Sequence, residues 1–159
     1  NSFNPFPFIQ KVFMAIGMGK VATSAEEGRE MGFLRPTDTI TMNRNLLLAD
    51  AKARCIGMAE SGFRAPRQGR FLLPGPSGKA TIDMLLYDMQ LMGQVSEHDA
   101  LIGGKLANVL CGGDTNPTTP VTEERILELE REAFLSLCGE EKTKARLLHM
   151  IQTNKPLRN

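Results

Sequence analysis

TEERILELEREAFLSLCGEEKTKARLLHMIQTNKPLRN, residues 122–159, is the stretch on which the fold class turns. Thr122 stands where a helix needs an oxygen for its free N–H groups, and Glu123 and Glu124 follow in the first turn, where the positive end of the helix dipole favours acids. Ile126, Leu129, Ala133 and Leu137 then recur at three- and four-residue steps, with Leu127, Phe134 and Cys138 as a neighbouring stripe. Two adjoining stripes predict a helix buried over a wide arc. Gly139 separates it from a last helix, 140 to about 154. Two consecutive helical patterns with no alternation of period two set the class as all-α.

The rest of the chain extends this pattern toward the N-terminus. Residues 112–121 are rich in helix breakers and read as a loop. Ser96 caps a helix running to about Cys111, and another is predicted from Lys79 to about Met92. The Pro- and Gly-rich stretch 63–78 reads as an irregular surface segment and a boundary. Asn43 caps a long helix through Ser61, with Leu47, Ala51, Cys55 and Met58 as its apolar stripe. Ser24 and Glu27 make a capping-box pattern for a short helix over 25–31, ended by Gly32. Over 6–16, Ile9, Val12, Phe13 and Ile16 fall on one face. The expected architecture is an irregular multi-helix all-α unit of about seven helices.

Composition narrows the function classes. Nineteen Lys and Arg against eighteen Asp and Glu leave a net charge of +1, so no global field points to nucleic acid or to a membrane surface. No apolar run approaches the length of a membrane span. Three widely spaced cysteines, Cys55, Cys111 and Cys138, sit in or at the end of apolar helical runs and are expected to be reduced and buried, which implies a cytoplasmic location. The sequence begins at Asn1 without an initiator Met, as a piece of a longer chain would.

Several motifs invite a chemical reading that their context denies. Gly17, Gly19 and Ala22 match a G-x-G-x-x-A dinucleotide fingerprint, with Asp38 near the place of the ribose-binding acid, but a helical pattern precedes them where a strand is required. Residues 75–81 resemble a phosphate loop, yet its first Gly would fall at Leu73 and Lys79 is followed by Ala80. His98 and His149 have no second ligand at metal spacing and no nucleophile in a recognisable triad, so no metal site is assigned. Glu123, Glu124, Glu128, Glu130 and Glu132 supply carboxylates, but on the outer face of a helix they are expected to be solvated or paired with Lys142, Lys144 or Arg146. No catalytic residue is assigned.

Two segments carry a family resemblance. Residues 16–34, IGMGKVATSAEEGREMGFL, resemble the stretch of crotonase-family (enoyl-CoA hydratase/isomerase) proteins in which a helix ends in Gly and a small-residue turn leads into an A-E-E-A helix. Residues 129–159 resemble the end of the same domain, which closes in a basic K-P held here by Lys155 and Pro156, with Asn154 where a Gly is common. FLSLCGE and the tail are similar to the C-terminus of long bacterial bifunctional proteins that join an NAD-dependent 3-hydroxyacyl-CoA dehydrogenase to an enoyl-CoA hydratase.

The resemblance implies a C-terminal helical region of a fatty-acid β-oxidation enzyme acting on acyl-CoA thioesters. It implies crotonase-like segments at 1–62 and 122–159 and a helical insertion at 63–121, all in one structural unit. The oxyanion hole and catalytic carboxylates would lie in the upstream domains, as would the NAD site, leaving no cofactor in this segment. What remains is packing against those domains, homo-oligomer contacts and a CoA contact at Lys155. Apolar surface is then expected to stay exposed. The rival reading is a free-standing helical interaction module that docks partners through Met84, Met89 and Met92.

Overall fold

The computed structural model describes residues 4–159. Among them lie seven α-helices and one two-stranded sheet, and the all-α expectation holds. The helices are α1 Phe6–Gly17, α2 Ala25–Met31, α3 Leu47–Glu60, α4 Gly75–Leu91, α5 Glu97–Leu110, α6 Glu123–Cys138 and α7 Glu141–Thr153. The strands, β1 Arg70–Phe71 and β2 Val121–Thr122, pair antiparallel with Phe71 opposite Val121. At two residues each they are too short to show alternation, so the sequence reads them as loop. They join the two breaker-rich segments. The chain divides into two compact units: Lys20–Arg67, and the described residues on either side of it. Of its two junctions, the one after Arg67 lies in the Pro- and Gly-rich stretch.

In the larger unit α5 is the central helix and meets α4, α6 and α1. Its core comprises Phe13, Ile82, Leu86, Ala107 and Cys111, with Phe6, Ile9, Leu106 and Leu110 packed around them. On α1 the inward face is therefore Phe6, Ile9 and Phe13, while Val12 and Ile16, expected inside, are exposed. The stripe is rotated because the partner helix, and not the local pattern, chooses which edge of a broad apolar face it covers. Helices α4 and α5 approach closely at Gly103, where an added Cβ would stand 2.8 Å from a Leu86 methyl carbon.

Helix α4 begins at Gly75, a full turn before the expected Lys79. Pro74 and Pro76 flank this start, and proline is tolerated in a first turn because its missing N–H would have no helical partner there. Breaker composition thus marks a helix entrance here. Ser96 opens α5 with a complete capping box: its hydroxyl oxygen accepts from the Asp99 N–H, and the Asp99 carboxylate accepts from the Ser96 N–H. In α2 the box is displaced. The Ser24 oxygen accepts from the Glu27 N–H, but the Glu27 carboxylate reaches one residue further back, to the N–H and hydroxyl of Thr23. Those bonds hold the Glu27 carboxyl below its ordinary value.

The smaller unit holds α2, a 3-10 turn over Arg44–Leu46 capped by Asn43, and α3. The predicted long helix is present, but it buries none of its residues. On α6 the stripe of Ile126, Leu129, Ala133 and Leu137 faces inward, whereas Leu127 and Phe134 are exposed, so the expected wide buried arc narrows to one stripe. The Asn that replaces the usual Gly after α7, Asn154, takes a left-handed conformation at φ 54°, which Asn tolerates better than most residues.

Candidate functional site

The most organised polar cluster joins the start of α5 to α7 and the tail. Capping geometry turns the Asp99 side chain back over the first turn of α5, and its second oxygen accepts from Arg146 of α7 at 2.7 Å. Arg146 is already aimed by the tail: its Nε donates to the Asn159 side-chain oxygen at 2.7 Å and its Nη2 to the Asn159 main-chain oxygen at 3.2 Å. The Ser96 hydroxyl donates to that same main-chain oxygen, and the Asn159 amide donates to the Lys142 carbonyl. One residue, Asn159, therefore ties the entrance of α5 to two turns of α7. Between the tail and the α4–α5 turn lies an open hollow of ≈ 280 Å³ lined by residues 93–96, Asp99, Arg158 and Asn159.

Beside this cluster His98, 4% exposed, shares a 2.9 Å hydrogen bond through Nε2 with the Thr143 hydroxyl. The sequence offered His98 no hydroxyl partner, because the two residues stand 45 positions apart. A hydroxyl on an imidazole is part of an acyl-transfer arrangement, but here the ring is buried and the adjacent carboxylate of Asp99 is committed to Arg146. The bond fastens α5 to α7.

Partial burial opposes ionisation of Asp99, yet the Ser96 N–H and the Arg146 guanidinium together hold its carboxyl below the usual range. A carboxyl depressed in the folded state contributes stability that is present above the unfolded-state value and is lost as pH falls through the folded one. Replacing Asp99 by Asn should therefore lower the urea midpoint at about pH 7, and the gap to wild type should shrink as pH falls below the ordinary carboxylate range and wild-type Asp99 takes up its proton. A gap of constant size across that range would show that the carboxylate charge plays no part.

The remaining candidates do not converge. Gly17 ends helix α1, Gly19 follows it and Asp38 accepts from the Arg35 N–H, so the residues do not fit a dinucleotide. Lys79 pairs with Asp83 one turn on, inside α4. None of the α6 acids pairs with α7 among the described residues: Arg125 of α6 itself meets Glu128 at 3.0 Å and Glu132 at 3.4 Å, while Gln68, ahead of β1, donates to Glu124. Lys144 pairs with Glu141 and Arg146 with Asp99. For Arg125 with Glu128 and Lys144 with Glu141, a spacing of three along the helix brings the pair together without any neighbouring element.

Cys111 is buried, Cys138 is half-buried and Cys55 is exposed, which corrects the expectation of three buried thiols; all three are free. Burial, with the charge of Asp83, pushes the Cys111 thiol up to about 11, so it is inert at neutral pH. Among the described residues no three His, Cys, Asp or Glu side chains gather as a metal-binding group, and no helix is long and apolar enough to cross a membrane. Lys155 is exposed just beyond α7, its N–H bonded to the Thr153 hydroxyl at 3.2 Å. Ser96 was legible as a helix cap, whereas Arg146 and Asn159 carried no local signal.

The chain is similar to a segment of a protein described as a probable 3-hydroxyacyl-CoA dehydrogenase of Bacillus subtilis (strain 168). The two are 45% identical over 156 residues, which is 98% of this chain and 20% of the relative. The chain thus spans one fifth of the length of that curated relative. No family model matches it. No solved structure matches it either.

Proposed function

We propose that this chain is the C-terminal helical region of a fatty-acid β-oxidation enzyme acting on enoyl-CoA and 3-hydroxyacyl-CoA thioesters. Its own contribution is packing, subunit contacts and, through Lys155, part of the CoA surface. The observation that carries the reading is similarity along nearly the whole chain to one fifth of a protein described as a dehydrogenase of that substrate class. The crotonase-like segments 1–62 and 122–159, the insertion 63–121 and an upstream NAD-binding part belong to the same reading. The chemistry lies upstream, and no residue of this chain is assigned to NAD.

Lys155 suits a phosphate of CoA because it follows the turn at Asn154 as an exposed cation on a short segment whose far end, Asn159, is tied down by Arg146 and Ser96. A tethered segment loses less freedom on binding than a free tail does. The exposure of Met84 and Met92, at 70% and 62%, favours the second reading, an interaction module, since a Met face in the core could dock nothing.

Calorimetric titration with a medium-chain enoyl-CoA, with free CoA as control, separates the two. Saturable heat is expected, with binding about ten-fold weaker in Lys155→Ala, the scale of one charge-assisted contact. No heat with any thioester removes Lys155 from the site and favours the module.

A further inference from the structure

The segment after α7 turns back along that helix. Asn154, left-handed at φ 54°, reverses the chain at the end of α7, and the side-chain amide of Asn159 then donates to the carbonyl of Lys142 in the first turn of the same helix. Along the axis Lys142 and Thr153 stand about 16 Å apart, at about 1.5 Å per residue. The five steps from Asn154 to Asn159 reach about 17 Å at full extension. Segment 154–159 therefore has little slack, and the seat of its far anchor fixes where the residues between must lie. Lys155 is one of them.

The far anchor is built around Arg146. Its Nη1 donates to the Asp99 carboxylate at 2.7 Å, and the other side of the planar guanidinium, Nε and Nη2, donates to the two oxygens of Asn159 at 2.7 and 3.2 Å. The Ser96 hydroxyl adds a bond to the Asn159 main-chain oxygen at 3.0 Å. The Arg146 and Asp99 side chains are 20% and 25% exposed, so water and salt screen this pair less than a surface pair. Between the ends, Lys155, Pro156 and Arg158 are exposed and Leu157 is half-buried. A few hydrogen bonds set against the entropy of ordering six residues are opposing effects of the same order. Loss of part of the anchor is then enough to open the segment.

We propose that residues 154–159 form a strap that closes on the entrance of α5 with Arg146 as its catch, and that Arg146 and Asn159 are positioning residues for Lys155. The strap is read from the geometry alone, whereas the role of Lys155 rests on the thioester reading above. Closure also completes the hollow beside the α4–α5 turn, since Arg158 and Asn159 supply one wall and residues 93–96 with Asp99 the other. Neither positioning residue has to touch a ligand. Each acts by keeping the strap taut, so that the Lys155 cation meets a phosphate with less freedom left to lose.

Nitrogen-15 relaxation at the main-chain N–H groups of Lys155, Leu157 and Arg158 tests the strap in the whole chain. Order parameters are expected at about 0.85 in wild type and below about 0.6 in both Arg146→Lys and Asn159→Ala. The first variant keeps a charge opposite Asp99 and loses the fork; the second removes the two side-chain bonds of Asn159 and leaves Arg146 in place. Unchanged α4 and α6 amide signals establish that each variant is folded. The thioester titration then tests the positioning role. Asn159→Ala should bind a medium-chain enoyl-CoA about five-fold more weakly than wild type. Lys155→Ala/Asn159→Ala should bind no more weakly than Lys155→Ala alone, because a residue that acts through Lys155 has nothing left to act on. A segment as rigid in both variants as in wild type overturns the strap, and losses that add in the double variant overturn the positioning role. A wild type that binds no thioester removes Lys155 from the site and the positioning role with it, while relaxation decides the strap by itself.

Discussion

Gly75→Ala should cost this protein about 3 kcal/mol or more of folding stability, the sum of a left-handed backbone imposed on an L-residue and a steric overlap. Gly75 opens α4 at φ +60°, and its N–H donates to the Cys111 carbonyl at 2.9 Å. A Cβ at this position would stand 2.2 Å from the main-chain oxygen of Thr115, an atom with no rotamer through which to retreat. The strained turn joins the entrance of α4 to the end of α5 and the loop after it, so relief requires moving three elements together. For a chain of this size the expected fall in melting temperature is about 6–12 °C. Gly104→Ala is the matched control: its Cβ would meet only a Asp83 carboxylate oxygen at 3.7 Å, and in a helix interior it should be neutral or stabilising. Equal melting temperatures for the two variants would refute the account of Gly75.

Ile82→Ala is expected to cost about 3–4 kcal/mol, through lost apolar transfer and the cavity left behind. Ile82 is 1% exposed and sits with Phe13, Leu86, Ala107 and Cys111 at the one place where α1, α4 and α5 share a core. Few residues are buried in this chain, so little surrounding material can collapse into the space. Chemical denaturation measures the loss, and a change below about 1 kcal/mol would mean that the core is looser than its burial implies. A second readout is the thiol beside the cavity. Cys111 is fully buried and held at about 11, so its alkylation should speed up in the variant while that of exposed Cys55 stays the same.

Exposure on α3 and on the outer stripe of α6 belongs with this thin core. Among the described residues nine hydrophobic side chains are buried in the larger unit, five of them in one cluster, and the exposed leucines, methionines and phenylalanines outnumber them. Large apolar areas left in water mark surfaces that meet something else. The tail cluster has the opposite character. Asp99, Arg146, Ser96 and Asn159 satisfy one another within the chain and hold the segment that carries Lys155.

Helix existence was readable from the residues because its signals are local. Ser24, Ser96 and Thr122 each cap a helix where the sequence placed one, and Gly32 and Gly139 end or follow one, since an N–H and its capping oxygen lie within three residues of each other. Recurrence at three and four residues made α3 and α6 equally plain. The crotonase-type resemblance directed attention to Lys155, and nothing in local pattern would have done so.

Tertiary structure alone decided which apolar face went inward and which polar groups found each other. Val12 and Leu127 fit their stripes as well as Phe13 and Leu129 do, yet the first pair is exposed and the second buried. Periodicity reports that a helix has an apolar face; the position of the neighbouring helix selects the part of it that leaves water. The contacts of His98 with Thr143, Asp99 with Arg146 and Ser96 with Asn159 span 45, 47 and 63 residues. Over such separations no residue biases the conformation of its partner before the chain has folded, so the pairing is a property of the packed molecule.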